Sequence, residues 1–209
     1  MASAVGIIFS SLNNNTLSRL TSDRTVAAIP FACRYRLVDF ALSNLVNANI
    51  SNINIVANYN YRSLLEHIGS GKDWDLARRE SGINFISPFL TATSGEAKMY
   101  STHMEALKSM KMYVDEFKEE YVVLMDSDNV LNIDIKEVIK NHEKTGADVT
   151  IVTKTIKEGF SAKNPRIMIS SVAGKVADIA MGTRFSEKYG IRCVSRGLLL
   201  KRLRERIYY

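Results

Sequence analysis

Short apolar runs alternate with amphipathic stretches of helical length up to about residue 155, and this alternation restricts the possible folds. Each run has the length of a β-strand and ends in polar or turn-forming residues. Tyr121–Met125 is apolar after its first residue, which is typical of a strand covered on both faces of a sheet. The predicted strands are Val5–Phe9, Ile53–Ala57, Ile83–Ile86, Tyr121–Met125 and Asp148–Lys154.

The stretches between these runs have helical periodicity. Apolar side chains of Tyr35–Asn49 recur on one side of a helix. The other predicted helices are Asn60–His67, Lys98–Val114 and Ile135–Lys144. Because strands and helices alternate, we predict an α/β fold. It is a Rossmann-like, mostly parallel sheet with helices on both faces, and its ligands bind at the carboxyl ends of the strands.

The pattern changes after Gly159. Ile167–Ser171 and Lys175–Ile179 flank the turn-forming Val172–Gly174, which predicts a β-hairpin. The basic segment Arg196–Arg206 predicts a helix at the end of the chain.

Composition excludes several classes of protein. Hydrophobic residues make up 46% of the 209 residues and charged residues 24%, which excludes disorder of the whole chain. No apolar run approaches the roughly 18 residues that cross a bilayer, and the N-terminus lacks a signal-peptide pattern. Cys33 and Cys193 lie far apart and the three histidines have no metal-ligand spacing, so neither a disulfide framework nor a zinc site is predicted. We expect a cytoplasmic protein without membrane association.

The net charge of +6 does not indicate nucleic-acid binding. Six basic residues and one acidic residue lie between Arg192 and Tyr209, whereas 22 basic and 21 acidic residues make the remainder nearly neutral. A basic end without interleaved aromatic residues is more typical of a solvated face or an interface, so no nucleic-acid partner is expected.

Three segments, taken in chain order, resemble one family. Thr21–Phe31 with Tyr35–Asn44 resembles L-T-x-x-R-x-K-P-A-V-P-F-G-G-x-Y-R-(I/L)-(I/V)-D-F-x-L-S-N. Val56–Arg78 resembles L-T-Q-Y…S-L…H-I-G…W-D-L-x-R, and Tyr121–Asn129 resembles Y-V-L-I-L-S-G-D-H. These patterns belong to the sugar-nucleotide pyrophosphorylases, especially glucose-1-phosphate adenylyltransferase (ADP-glucose pyrophosphorylase).

The resemblance implies a nucleotide-diphospho-sugar transferase (GT-A-like) fold. It implies a nucleotidyltransferase-like domain over residues 1–209, best matched over 5–155, without the left-handed β-helix domain that follows in the family. The family joins glucose 1-phosphate to the α-phosphate of ATP and releases pyrophosphate, with Mg²⁺ as cofactor.

The phosphate-binding residues of the family are replaced in this chain. The family has G-G-x-G-T-R-L after the first strand, and the alignment places Ser11–Leu17 there, without glycines. Backbone N–H groups of such a loop close on phosphates, which a branched side chain obstructs. Thr16 stands at the catalytic arginine and Val26 at the lysine of R-x-K-P-A-V-P, so two cations that stabilise the leaving pyrophosphate are missing.

Other positions match the family more closely. Asp128 stands where the family holds magnesium, although it and Asp126 could equally cap a turn after the strand. Asn58 replaces the glutamine that reads the adenine edge. The nucleotide-facing G-T-A-D-A is represented only by Ser94–Lys98.

Two further pairs have alternative interpretations. Arg36 and Asp39 either bind the sugar phosphate or form an ion pair that braces the loop. Glu187 and Lys188 resemble the sugar-side F-x-E-K motif, but a surface charge run explains them equally well.

An adenylyltransferase scaffold with a degraded phosphate loop resembles the glycogen-biosynthesis D-type subunits of this family. The resemblance implies a catalytically silent or feeble regulatory subunit that joins the catalytic subunit in a heterotetramer and responds to ATP, glucose 1-phosphate or sugar-phosphate effectors. The alternatives are an active sugar-1-phosphate nucleotidylyltransferase, and a non-catalytic module that senses a nucleotide or sugar phosphate.

Overall fold

A computed structural model describes residues 3–10, 19–77, 81–88, 99–155, 161–184 and 192–202 of the chain. The chain divides into two compact units, one within Met1–Thr150 and Leu199–Tyr209 and the other within Ile151–Leu198.

The described helices begin and end close to the predicted positions. Short 3₁₀ turns occupy Val26–Ala28 and Lys72–Trp74. The helices are α1 (Leu37–Asn47), α2 (Arg62–Ile68), α3 (His103–Ser109), α4 (Lys111–Glu116) and α5 (Ile135–Thr145). The strands are β1 (Ala4–Ser10), β2 (Pro30–Phe31), β3 (Tyr35–Arg36), β4 (Asn52–Ala57), β5 (Gly82–Ile86), β6 (Tyr121–Asp126), β7 (Val149–Thr155), β8 (Ser161–Val172), β9 (Lys175–Arg184) and β10 (Arg192–Arg202).

The first unit is built on a parallel sheet with strand order β5-β4-β1-β6. β1 lies at its centre and pairs in parallel with both β4 and β6, while β5 extends the sheet from β4. The last residues of β10 pair antiparallel with β6, from Leu199 opposite Leu124 to Arg202 opposite Tyr121. The predicted α/β class with a parallel sheet is confirmed.

Helices cover both faces of β1. Val5, Ile7 and Phe9 point to one face, where they pack with buried residues of α3 and its end, such as Leu107 and Met110. Gly6 points to the other face, against Leu45 of α1. All residues from Val5 to Ser10 are buried, as the apolar run predicted for a strand covered on both sides.

The second unit contains the predicted hairpin. β8 and β9 pair antiparallel, and the turn between them has Ala173 at φ 49° and Gly174 at φ 79°. Two consecutive positive φ angles are typical of a two-residue hairpin turn that matches the twist of the strands. The first residues of β10 pair antiparallel with β8, and β7 also pairs with β10.

Two predicted helices differ in the structure. The terminal helix Arg196–Arg206 is wrong over its described part, because residues 192–202 form strand β10. The backbone of the last residues of this strand pairs with β6. Local helical propensity does not reveal pairing with a strand far away in the sequence. The predicted helix Lys98–Val114 is two shorter helices within the described residues, and the first begins only after the N-cap Thr102.

None of the helices in the described part of the chain combines the length and the apolar character that a bilayer crossing requires.

Gly6 tests the close contact between the sheet and α1. A Cβ atom built at this position would lie 2.7 Å from Leu45 Cδ1, and Leu45 is fully buried. We expect Gly6→Ala to lower the free energy of unfolding by about 1–3 kcal/mol, because the added methyl group overpacks the core. Denaturant unfolding measures this loss.

The contact is tested by combining Gly6→Ala with Leu45→Ala, which makes room for the added methyl group. The double variant should lose less stability than the sum of the two single variants. Additive losses would mean that the two side chains do not compete for the same space.

Candidate functional site

The carboxyl ends of the central parallel strands meet at one edge of the first unit. Ser10 of β1 lies opposite Ala57 of β4, and Phe9 lies opposite Asp126 of β6. Asn58 directly follows β4. This edge is where open parallel sheets bind ligands, so it is the candidate site.

Two buried hydroxyl groups pair at the end of β1. Thr25 Oγ1 donates to Ser10 Oγ at 3.1 Å, and both residues are at most 2% exposed. The backbone N–H of Thr25 also donates to the carbonyl oxygen of Asn60, at 3.1 Å. These bonds hold the segment before the 3₁₀ turn against the ends of β1 and β4.

Val26 begins that 3₁₀ turn, and its side chain is buried. It is 5% exposed, and the following Ala27 and Ala28 are fully buried. The position that the family motif gives to a lysine therefore holds an aliphatic side chain packed in the core. Thr16 and the loop Ser11–Leu17 lie outside the described residues.

Arg24, which matches the arginine of the motif, forms an exposed pair with its neighbour. Its Nε and Nη2 donate to the two carboxylate oxygens of Asp23, both at 3.1 Å. The hydrogen bond from Arg24 holds the pKa of Asp23 below its ordinary value, and Asp23 raises the pKa of Arg24. A carboxyl group whose pKa is lowered by folding contributes stability above the ordinary aspartate pKa, and this contribution is lost as the pH falls through the lowered pKa. Solvent screening keeps the contribution small for this exposed pair.

Asn58 is buried, with both ends of its amide on the backbone of one residue. Its Nδ2 donates to the carbonyl oxygen of Tyr100 at 2.8 Å, and its Oδ1 accepts from the N–H of Tyr100 at 3.1 Å. Recognition of adenine by Asn58 would have to replace or share these bonds. A role in nucleotide binding therefore stays a prediction.

Asp126, the last residue of β6, lies next to His103, which the sequence did not indicate as a site residue. Asp126 Oδ1 lies 2.7 Å from Nε2 of His103, the first residue of α3. The rings of His103 and Phe9 also pack in a T-shaped arrangement, with centroids 4.5 Å apart and planes at 82°. The available signal was Thr102 with Glu105, the sequence pattern of a capping box, which predicts a helix start at His103.

Thr102 caps this helix, whereas the Glu105 carboxylate bonds the residue before the N-cap and not the N-cap N–H of a capping box. Thr102 Oγ1 accepts from the N–H of Glu105 at 3.1 Å, and Glu105 Oε2 accepts from the N–H of Ser101 at 2.7 Å. The start of α3, and with it the imidazole, is therefore held in place. Ser94–Lys98, which the sequence analysis aligned with G-T-A-D-A, lies outside the described residues.

The magnesium ion that the resemblance implies finds no complete set of ligands in the described residues. Asp128 is exposed, and its Oδ1 accepts from Asn129 Nδ2 at 2.8 Å. Asp126 Oδ1 already lies within hydrogen-bond distance of His103 Nε2, at 2.7 Å. Across the described ranges, no group of three or more His, Cys, Asp or Glu side chains is arranged to hold a metal ion. The residues as placed do not fit the ion, and Asp128 as a metal ligand stays a prediction.

Arg36 and Asp39 do not form the ion pair that one interpretation predicted. Arg36 Nη1 donates instead to the carbonyl oxygen and, at 2.7 Å, to the hydroxyl oxygen of Ser63. Asp39 Oδ2 accepts from the backbone N–H of Arg36 at 2.9 Å, which caps α1, and Asp39 Oδ1 lies 2.7 Å from His67 Nε2. Arg36 and Asp39 therefore bond to different residues of α2, Ser63 and His67.

This network joins the first of the three family-like segments to the second. His67 also packs its ring against Trp74, with centroids 6.2 Å apart. Residues that identify the family in the sequence thus contact one another between α1 and α2, where they brace the fold. The remaining predicted pair, Glu187 and Lys188, lies outside the described residues.

Asp39→Ala tests the bracing role of this network. The variant leaves His67 and the N-terminus of α1 without a buried carboxylate, so we expect the free energy of unfolding to fall by about 2–4 kcal/mol. Denaturant unfolding measures the change. Asp23→Ala is the matched control, because its ion pair is exposed and its loss should change stability little. Equal effects of the two variants would contradict the role given to Asp39.

Comparison with known proteins places the chain among nucleotide-transferring enzymes and their relatives. The family model described as nucleotidyl transferase matches residues 6–163. The glycogen biosynthesis protein GlgD of Bacillus subtilis (strain 168) is 40% identical over 152 residues, which is 71% of this chain and 42% of that protein. The glucose-1-phosphate adenylyltransferase of Fervidobacterium nodosum is 31% identical over 178 residues, or 85% of this chain and 42% of that protein.

A solved structure agrees with the fold. A Bacillus anthracis protein assigned as a glucose-1-phosphate thymidylyltransferase superposes with a TM-score of 0.72, over 97% of this chain and 72% of that one. At 14% identity this likeness concerns the fold alone. The chain spans 42% of the length of each of the two curated relatives described above. The family model covers most of the chain, which therefore belongs to the nucleotidyl transferase family.

Proposed function

We propose that this chain is part of a GlgD-type subunit of glycogen biosynthesis that makes little or no ADP-glucose by itself. In this proposal it acts on the catalytic subunit of ADP-glucose pyrophosphorylase, which converts ATP and glucose 1-phosphate to ADP-glucose and pyrophosphate. It raises the activity of that subunit or changes its response to effectors. The likeness to GlgD of Bacillus subtilis, at 40% identity, supports this choice within the family.

The observation that carries the proposal is the buried side chain of Val26. Transfer of a nucleotidyl group builds negative charge on the departing pyrophosphate, and a nearby lysine ammonium stabilises it. Val26 is 5% exposed in the core and carries no charge. Loss of one preorganised electrostatic contact typically lowers the rate by about 10²–10³.

Internal pairing of the polar groups at the same edge supports the proposal. Ser10 pairs with Thr25, Asn58 with Tyr100, and Asp126 with His103. A group that binds a ligand must exchange such bonds for bonds to the ligand, so little net affinity is gained. These polar groups of the edge stabilise the fold through bonds within the chain.

A scaffold without chemistry can still act through association. A homologous chain can occupy a subunit position and shift the conformational equilibrium of its neighbour. Coupling of about 1–3 kcal/mol changes the activity or affinity of the neighbour by roughly 5–150-fold. A heterotetramer with the catalytic subunit is the assembly that the family resemblance favours.

The exposed carboxylate of Asp128 favours a second candidate, an active sugar-1-phosphate nucleotidylyltransferase. It lies just beyond the carboxyl end of β6, where substrate phosphates with a bound cation would lie. In that case turnover by the pure protein would depend on this carboxylate.

Activity measurements separate the two candidates. We expect the pure protein to form ADP-glucose from ATP and glucose 1-phosphate at least about 10³-fold more slowly than a catalytic homologue, because cationic stabilisation is missing. Mixed with the catalytic subunit, it should co-purify and change the rate or the effector response. Robust turnover by the pure protein that Asp128→Asn abolishes would favour the active enzyme. No co-purification and no kinetic effect would reject the regulatory role.

Val26→Lys tests whether position 26 can present a cation. Because Val26 is buried, the ammonium group must lose its hydration or open the 3₁₀ turn, and we expect stability to fall by about 2–4 kcal/mol. Val26→Met is the control for size without charge and should cost less. A Val26→Lys variant as stable as the control would show that a side chain at this position reaches solvent, and would contradict the argument that burial keeps a cation from position 26.

A further inference from the structure

The pair formed by His103 and Asp126 lies two residues before Asp128, the position at which the family resemblance implies a magnesium ligand. Members of the family generally use Mg²⁺. In proteins this ion is usually bound through one or two carboxylates, with substrate phosphates and water completing its octahedron. Asp126 and Asp128 are the carboxylates at the end of β6, two residues apart.

Asp126 is the more buried of the two. Its side chain is 14% exposed, whereas the side chain of His103 is 51% exposed. A carboxylate taken largely out of water needs a partner, because its lost hydration is otherwise uncompensated. The imidazole is that partner, at 2.7 Å.

Two contacts hold the imidazole in this position, and a third holds the turn that follows Asp126. The hydroxyl oxygen of Thr102 accepts from the N–H of Glu105 and caps α3 at His103. The rings of Phe9 and His103 pack in a T-shaped arrangement, and Phe9 lies opposite Asp126 in the paired strands. The turn beyond β6 is tied to the same strand, since the N–H of Ser127 donates to the carbonyl oxygen of Phe9 at 3.0 Å. The pair is thus built into the sheet and does not depend on a flexible surface side chain.

We propose that the His103 imidazole is an internal cap on Asp126, which withholds this carboxylate from divalent cations and keeps it from joining Asp128 in a two-carboxylate site. The N–H of Nε2 satisfies the carboxylate oxygen that a cation would otherwise take. A phosphate ligand at this edge then meets no metal ion held by this pair of carboxylates. The inference concerns the same edge as the proposed function, but it depends on neither the partner subunit nor ADP-glucose synthesis.

Manganese titration of the purified protein tests the cap, with Mn²⁺ as a paramagnetic substitute for Mg²⁺ that electron paramagnetic resonance detects directly. The unaltered protein should show only weak binding, in the millimolar range typical of scattered surface carboxylates. In His103→Ala the carboxylate of Asp126 becomes available beside Asp128. We expect Mn²⁺ affinity to rise roughly tenfold to a hundredfold, the range that corresponds to a lost hydrogen bond to a charged group.

Two further variants distinguish a cap from a general structural role. His103→Gln keeps an N–H donor near the position of Nε2, so its Mn²⁺ affinity should stay close to that of the unaltered protein. The double variant with His103→Ala and Asp126→Asn should lose the gained affinity, because the released carboxylate is then absent. Thermal unfolding of every variant confirms that the comparison is made on folded protein.

Three results would overturn the inference. They are tight Mn²⁺ binding by the unaltered protein, an unchanged affinity in His103→Ala, and a gain that persists in the double variant. None of them bears on co-purification with the catalytic subunit, so failure of the cap and failure of the regulatory role are separate outcomes.

Discussion

The parallel pairing of β1 with β4 on one side and β6 on the other is the constraint on which the rest of the first unit depends. It places Ser10, Asn58 and Asp126 at a common edge, because the carboxyl ends of parallel strands coincide. It also requires both faces of β1 to be covered, and Gly6 permits the close approach of α1 through Leu45. The opposite face is filled by the cluster of β1, β6 and α3 side chains that includes Phe9. Core and candidate site are therefore two consequences of one arrangement of strands.

Three polar side chains of the edge are satisfied from within. Buried hydroxyl, amide and carboxylate groups are each bonded to a neighbour on another segment, and each such bond ties a loop or helix to the sheet. A binding site for a nucleotide needs the opposite arrangement, with donors and cations that find their partners only in the ligand. Val26 agrees with this arrangement, because its apolar side chain lies in the core at a position where the family resemblance implies a lysine. The proposed regulatory role follows from this exchange of ligand contacts for internal ones.

The motifs that identify the family have a structural explanation in this chain. Arg36 bonds to Ser63, and Asp39 caps α1 and contacts His67, which packs against Trp74. These residues come from two separate segments of the sequence, yet they form one network around α1 and α2. Such a network stabilises the fold whether or not the strand edge carries out any chemistry. Strong motif likeness in this region therefore says more about the scaffold than about catalysis.

The amino-acid sequence by itself determined the α/β class, the strands of the parallel sheet, the β8–β9 hairpin and the family, because these depend on local periodicity, turn residues and contiguous motifs. The family resemblance also predicted that Val26 stands at the position of a lysine, which stays a prediction. The sequence did not determine the strand at residues 192–202, since that segment becomes a strand only by pairing with β6. Nor did it reveal that Arg36 turns to Ser63, or that His103 meets Asp126 across 23 residues of sequence. Those contacts depend on where α1, α2 and α3 lie on the sheet. Only the tertiary structure decides which of several possible partners a charged side chain reaches, because side-chain pairing depends on distances of a few ångströms between segments far apart in the chain.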